Sequence, residues 1–386
     1  MQGDQADDAA AARTAPALGG ESVRAVYRDL LRFGPRSRSE LTSRLGLSAP
    51  TVTRVTRELL EGGHLHLLDS VARAKGRPQE PLDIEEDHGP RFIGVKVTAD
   101  EVHAVVATVR GSTLEDLAMP LSDTSPATVE ATILETVEAL LDAHPRVAVI
   151  GVSLGGRVDG RRTVISSGQL GWDAPHDLAA RLETRAQLPV VVENDLVAMV
   201  HGLQWFGIGR AHRSFAVLTV GAGVAIGSVI DGRVVEGRTH LAGVTELLPV
   251  GPGPDGTART LGEAARTDQL LPRARDAGVL TADEGMDRLR ELLGAGDPPA
   301  RAIAQDLARS LARAAAAVVA LLDPEAIMLG GETVDLVHGA EPSVEDLLRD
   351  AVAPAQRDLV VRELSGDFDE WARGAAVTAI QEYVGR

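Results

Sequence analysis

The chain has 386 residues, is 44% hydrophobic and 25% charged, and carries a formal net charge of −17, which allows more than one packed core and is ordinary for a soluble globular protein. It contains no run of about 18 apolar residues, so no membrane-spanning helix is expected; its lack of cysteine excludes disulfides and thiolate metal sites and fits a cytoplasmic location. The charge is uneven: residues 20–82 hold eleven Arg and Lys against seven Asp and Glu, net +4, which leaves −21 elsewhere.

Residues 1–19 are acidic and Ala-rich and lack a basic segment followed by an apolar one, so they read as a disordered tail and not a signal peptide. Three helices follow within a first domain at 20–86. Val23, Val26, Leu30 and Leu31 recur at helical spacing, and Gly34-Pro35 end the first helix. The second opens on a capping box, Ser37 with Glu40, buries Leu41 and Leu45, and ends at Gly46. Ser48 caps the third, with Pro50 in its first turn. Val52, Val55 and Leu59 face the core of this helix, which leaves Thr51, Thr53, Arg54 and Arg57 outward.

Two helices joined by a short turn, the second with an apolar inner face and a Thr/Arg outer face, form the helix-turn-helix pattern that enters the DNA major groove. Two packed helices with a solvated face would look similar. The next segment, "HLHLLDSVARAKGRPQEPLDI", tips the balance toward the first: two β-capable stretches flank a basic turn with Arg73, Lys75 and Arg77, the wing of a winged helix, whose tip suits a narrow minor groove. The expected DNA contacts are Ser48, Thr51, Thr53, Arg54, Arg57, Arg73, Lys75 and Arg77. His64 and His66 share one strand face without a third ligand, so no zinc site is expected there.

After a linker at 83–90 strands alternate with helices, which argues an α/β fold with buried sheets and ligands at the strands' carboxyl ends. Strand-like runs include "RFIGVKV", "VAVIGVSL", "PVVVEND", "SFAVLTVG" and "EAIMLGG"; helix-like runs include "ATVEATILETVEALLDAH" and "RAIAQDLARSLARAAAAVVALL". The Gly-rich "GAGVAIG" continues as a hairpin with Asp231-Gly232 as its turn, so it fails the context of a dinucleotide loop.

The series "VIGVSLGGRVDG", "SSGQLGW", "LPVVVENDLVAMVHGLQWFG", "AVLTVGAGVAIGSVIDGRVVEG", "EAIMLGG" and "ARGAAVTAI" resembles the ROK family of repressors and sugar kinases in order and spacing. The winged helix in front matches the family's repressor branch. The resemblance implies a two-lobed actin-like (ribonuclease H-like) sugar-kinase fold over 90–386, with a first lobe at about 90–195 plus 368–386 and a second at about 196–367. It also implies a sugar-binding cleft and a homodimer or homotetramer.

A kinase must hold Mg²⁺·ATP and position a sugar hydroxyl, because phosphoryl transfer is mostly alignment and charge stabilisation. The family's kinases carry Asp-x-Gly-Gly/Ala-Thr on the first strand, where this chain has Lys96, Val97, Thr98, Ala99 and Asp100. Lys96, one of only two lysines, puts a cation where the metal-anchoring acid stands. Ala222 and Ala225 replace the threonine and glycine of the phosphate-contacting hairpin. A half-exposed Lys96 reaching to water is the alternative role for that side chain, and neither role ligates magnesium.

The resemblance assigns sugar contacts to Asn194 and Asp195, with Gln169 and Glu263 at two further contact positions; Asp195 is the general base in the kinases. Val244 and Leu247 replace a sugar-contacting Glu and a zinc-binding His, and the family's zinc cysteines are missing. The expected function is therefore a non-enzymatic transcriptional regulator, a repressor that binds a double-stranded DNA operator and responds to a sugar or sugar derivative, with no cofactor or metal. An ATP-dependent sugar kinase carrying a DNA-binding module, and a DNA-binding protein with a vestigial cleft used for oligomerisation, are the alternatives.

Overall fold

The computed structural model describes residues 18–69, 80–253, 256–364 and 368–385. They divide into two compact units, one running to Gly207 and resuming at Trp371, the other spanning Ile208–Glu370.

The first unit opens with helices α1 (Glu21–Phe33), α2 (Arg38–Leu45) and α3 (Ala49–Glu61). The local signals act as expected. Ser37 and Glu40 form a reciprocal capping box, Gly46 takes the left-handed conformation that ends α2 at φ 65°, and the Ser48 hydroxyl accepts from Thr51 N–H. Asp29 on α1 is buried and takes a 3.0 Å ion pair from Arg44 on α2. Arg38 Nε donates to Thr56 Oγ1 on α3 at 3.0 Å. Strands β1 (Leu65–Leu67) and β2 (Leu82–Ile84) pair antiparallel, so a wing is present, while its basic turn with Arg73, Lys75 and Arg77 lies outside the described residues.

The rest of this unit is built on a five-stranded sheet of β3 (Arg91–Val97), β4 (Glu101–Thr108), β5 (Thr113–Pro120), β6 (Val147–Leu154) and β9 (Val190–Asn194), in the order β5-β4-β3-β6-β9. Pairs β5/β4 and β4/β3 are antiparallel, and β3/β6 and β6/β9 parallel. Helix α4 (Pro126–Ala143) connects β5 to β6. A small hairpin of β7 (Arg157–Asp159) and β8 (Thr163–Ser166) and helix α5 (Leu178–Ala186) lead into β9, and α6 (Asp195–Trp205) starts where β9 stops.

The second unit repeats this plan. Strands β10 (Phe215–Val220), β11 (Val224–Ile230), β12 (Arg233–Val234), β15 (Ala326–Gly330) and β16 (Val360–Glu363) order as β12-β11-β10-β15-β16, again three antiparallel strands followed by two parallel additions. Its core gathers around the 25-residue helix α10 (Pro298–Leu322). Before α10 come a short pair of strands, β13 (Pro249–Pro252) and β14 (Ala258–Thr260), and helices α7 (Leu261–Ala265), α8 (Thr267–Asp276) and α9 (Met286–Gly294); α11 (Val344–Ala351) follows β15.

The closing helix, α12 (Phe368–Val384), ties the first unit together. Its backbone rides directly on the sheet, since a Cβ added to Gly94 on β3 would stand 2.1 Å from Ala372 O, and one on Gly151 of β6 2.0 Å from Ala375 O. Farther along α12, Ile380, Tyr383 and Val384 enter one continuous apolar core with Val26, Tyr27 and Leu30 of α1 and Val52, Val55 and Leu59 of α3. The helix-turn-helix therefore shares its core with the sheet's cover helix.

Candidate functional site

The carboxyl ends of β3, β6 and β9 converge, and this is where the structure gathers three of the sugar-contact candidates. Asn194 caps α6: its Oδ1 accepts from Val197 N–H at 3.1 Å and its Nδ2 donates to Gly156 O at 2.9 Å. Asp195, the first residue of α6, accepts from its neighbour Leu196 N–H at 2.8 Å, an arrangement that the partial positive charge at a helix start favours. Gly155 lets Gln169 close in, since a Cβ there would stand 2.6 Å from Gln169 Oε1 and 3.5 Å from Asp195 Oδ2. Glu263 belongs to the second unit, where its carboxylate accepts from Thr260 N–H at 2.8 Å in a capping box.

Lys96 resolves differently from the half-exposed alternative. Its side chain is 5% exposed, and its ammonium donates to Oδ2 of Asp195. The ring centre of Trp371 on α12 lies 5.2 Å from Nζ, a cation–π distance. One acceptor position of the Asp195 carboxylate is thus occupied by an ammonium. This pairing could be anticipated only in part, because the sequence places a cation on β3 without showing which anion, 99 positions on, it meets.

The surroundings of a nucleotide are altered as well. At the β3–β4 turn, Thr98 Oγ1 accepts from the N–H groups of Asp100 and Glu101 at 3.3 and 3.1 Å, so these donors are spent within the turn. At the β10–β11 turn of the second unit, Glu332 Oε2 accepts from Ala222 N–H at 3.3 Å, and a Cβ on Gly221 would stand 2.9 Å from the same carboxylate. An anionic side chain thus lies against the hairpin that would approach phosphate. The residues present do not fit magnesium-bound ATP. They do not fit zinc either: Val244 is 63% and Leu247 84% exposed, and neither side chain is a ligand.

Behind Asn194 and Asp195 lies a buried polar ring that the sequence did not reveal. Glu193 Oε2 accepts from Arg161 Nε at 3.1 Å, Arg161 donates to Gln381 Oε1 at 2.9 Å, and Gln381 Nε2 lies 3.0 Å from His201 Nδ1. Burial, with the Arg161 guanidinium adding to it, pushes the His201 imidazole down to about 3. His201 is therefore neutral at physiological pH, and the ring closes where Arg161 Nη2 lies 3.4 Å from His201 Nε2. The ring links β9, α6 and α12.

On α3, Thr53, Arg54 and Arg57 are exposed and Thr51 is half-buried, while Val52, Val55 and Leu59 are buried. Ser48 and Thr51 share a 2.8 Å hydroxyl contact, Thr53 Oγ1 donates to Ala49 O at 2.9 Å, and Arg54 reaches Glu58 at 3.3 Å. His66 Nδ1 lies 3.4 Å from Glu85.

The model of the ROK family matches residues 92–256 and 262–382. The chain belongs to the ROK family. It is similar to the DNA-binding transcriptional dual regulator NagC of Escherichia coli K12, at 24% identity over 354 residues that cover 86% of each chain. Among solved structures it resembles a ROK family transcriptional regulator described as a homolog of the E. coli MLC protein, with a TM-score of 0.80 at 23% identity, covering 94% of this chain and 95% of that one. It also resembles a ROK family glucokinase from Streptomyces griseus in complex with glucose and AMPPNP, with a TM-score of 0.64 at 25% identity, covering 75% of this chain and 99% of that one. The family thus spans regulators and enzymes on one fold, and the ROK body alone does not decide between them.

Proposed function

We propose that this ROK protein is a transcriptional repressor whose DNA affinity is set by a sugar or sugar derivative, and that its kinase-like body is catalytically silent. The observation that carries the reading is the Lys96–Asp195 pair: a cation occupies the strand position where the kinase branch anchors metal, and it engages the residue that would be the general base.

Gln169, Asn194 and Asp195 are the proposed sugar contacts on the first unit, and Glu263 the one on the second. Ser48, Thr51, Thr53, Arg54 and Arg57, with Arg73, Lys75 and Arg77 of the wing turn, are the proposed DNA contacts. A homodimer would set two α3 helices in successive major grooves of an operator with two-fold symmetry. Sugar contact at the β9–α6 junction alters the strand end that holds Glu193. From there the Arg161–Gln381–His201 ring reaches α12, whose far end shares its core with α1 and α3. A change of about 1–3 kcal/mol between the two states shifts operator affinity about 5- to 150-fold, and differential contact with the ligand must supply it.

Mapping of the DNA bound by the protein in cells, followed by affinity measurement on a recovered site, tests the regulatory half. A coupled assay with ATP, magnesium and a sugar panel tests the silent half. Turnover that disappears in Asp195→Ala would overturn the reading in favour of a kinase.

A further inference from the structure

The Lys96 ammonium has three N–H donors, and one goes to Asp195 Oδ2. Asp195 accepts from Lys96 and from Leu196 N–H, which leaves lone pairs on both oxygens. Trp371, beside the ammonium, is buried, and its Nε1–H has no acceptor among the described residues. A ligand atom that completes this group must accept from a donor-only cation and donate to an acceptor-only carboxylate at nearly the same point. A hydroxyl does both. A phosphate or carboxylate accepts only, and it would set a second anion against Asp195 while sharing a single ammonium. An ether or a deoxy carbon leaves the carboxylate unmatched.

We propose that Lys96 and Asp195 form a hydroxyl clamp, and that Lys96 is a specificity-determining residue: it selects a neutral sugar with a free hydroxyl where a kinase would phosphorylate, and it rejects the phosphorylated sugar. The inference rests on the sugar-sensor reading and narrows it to one ligand class. Sites built around a hydroxyl discriminate strongly against analogues that lack it, because the buried polar groups are then left unpaired.

The test is calorimetric titration of the full chain with glucose and N-acetylglucosamine, each beside its 6-deoxy and 6-phosphate analogue. The clamp predicts that a parent sugar binds at least about tenfold tighter than either analogue. Lys96→Met should lower affinity for the parent sugar by at least about tenfold and shrink the gap to the deoxy analogue, while operator binding without sugar persists as the control for folding. If Lys96→Met does not fold, the Lys96→Met/Asp195→Asn pair, which removes both charges, replaces it with the same expected loss. Tighter binding of a 6-phosphate than of its parent, or unchanged sugar affinity in the variants, overturns the clamp and leaves the sensor reading standing. Binding of none of the six compounds overturns both.

Discussion

The ammonium of Lys96 donates to Oδ2 of Asp195 with both side chains largely withdrawn from water, 5% and 17% exposed. Removing one partner of such a pair strands the other as an uncompensated charge, which typically costs about 3–5 kcal/mol, whereas removing both can be nearly neutral. Asp195→Ala should therefore destabilise the fold by about that amount, and Lys96→Met/Asp195→Ala should recover most of the loss. A double-mutant cycle in urea reads this directly, and two additive single effects would mean that the pair is not coupled.

Restoring an acid at the metal-anchoring position should not restore catalysis. Lys96→Asp leaves the N–H groups of Asp100 and Glu101 bonded to Thr98 and leaves Glu332 on the Ala222 amide. The coupled assay is expected to show no sugar-dependent ATP turnover for this variant. Turnover in it would show that the two turns are no obstacle to a nucleotide.

Arg54 and Arg57 project from the exposed face of α3. Arg54→Ala and Arg57→Ala should each weaken operator binding, by about 1–3 kcal/mol if the side chain reads a base edge. If it contacts phosphate, the loss is uniform across sequences and the slope of log affinity against log salt falls by about 0.9. Anisotropy titrations at several salt concentrations separate these cases, and unchanged binding in both variants would remove α3 from the interface.

His201 titrates at about 3 in the fold because burial disfavours its cation, against about 6.5 in the unfolded chain. The unfolded state thus binds the extra proton first on acidification. This residue's contribution to stability is present above pH ~6.5 and is lost as the pH falls toward ~3, at up to about 1.4 kcal/mol per pH unit. In urea unfolding between pH 7 and 4, His201→Asn should flatten the decline. An identical pH profile would place the acid sensitivity elsewhere.

Much of this architecture is legible in the sequence because local signals and burial agree. Ser37, Glu40, Gly46 and Ser48 punctuate the helix-turn-helix where their chemistry requires, and β6 and β10 are nearly continuous apolar runs because both faces are buried. The edge strands β5 and β16 escape such a reading, since their largely exposed, charge-bearing residues leave no alternation. Helix α6 stays with the first unit past the boundary expected near 195, packed so closely on α12 that a Cβ added to Gly202 would stand 3.2 Å from Gly374 Cα. Asn194, Asp195 and Gln169 were identifiable as motif residues. The partnership of Lys96 with Asp195, Glu332 at the Ala222 amide and the Arg161–Gln381–His201 ring were not, because each joins residues distant in the chain through side-chain geometry that no local pattern encodes.

The most direct test of a silent, sugar-controlled repressor is the dissociation constant of the protein on its mapped operator, with and without glucose or N-acetylglucosamine at saturating concentration. The account predicts a change of about 5- to 150-fold for a sugar that binds, absent in Asp195→Ala. An operator affinity that stays constant while that sugar demonstrably occupies the protein would contradict it.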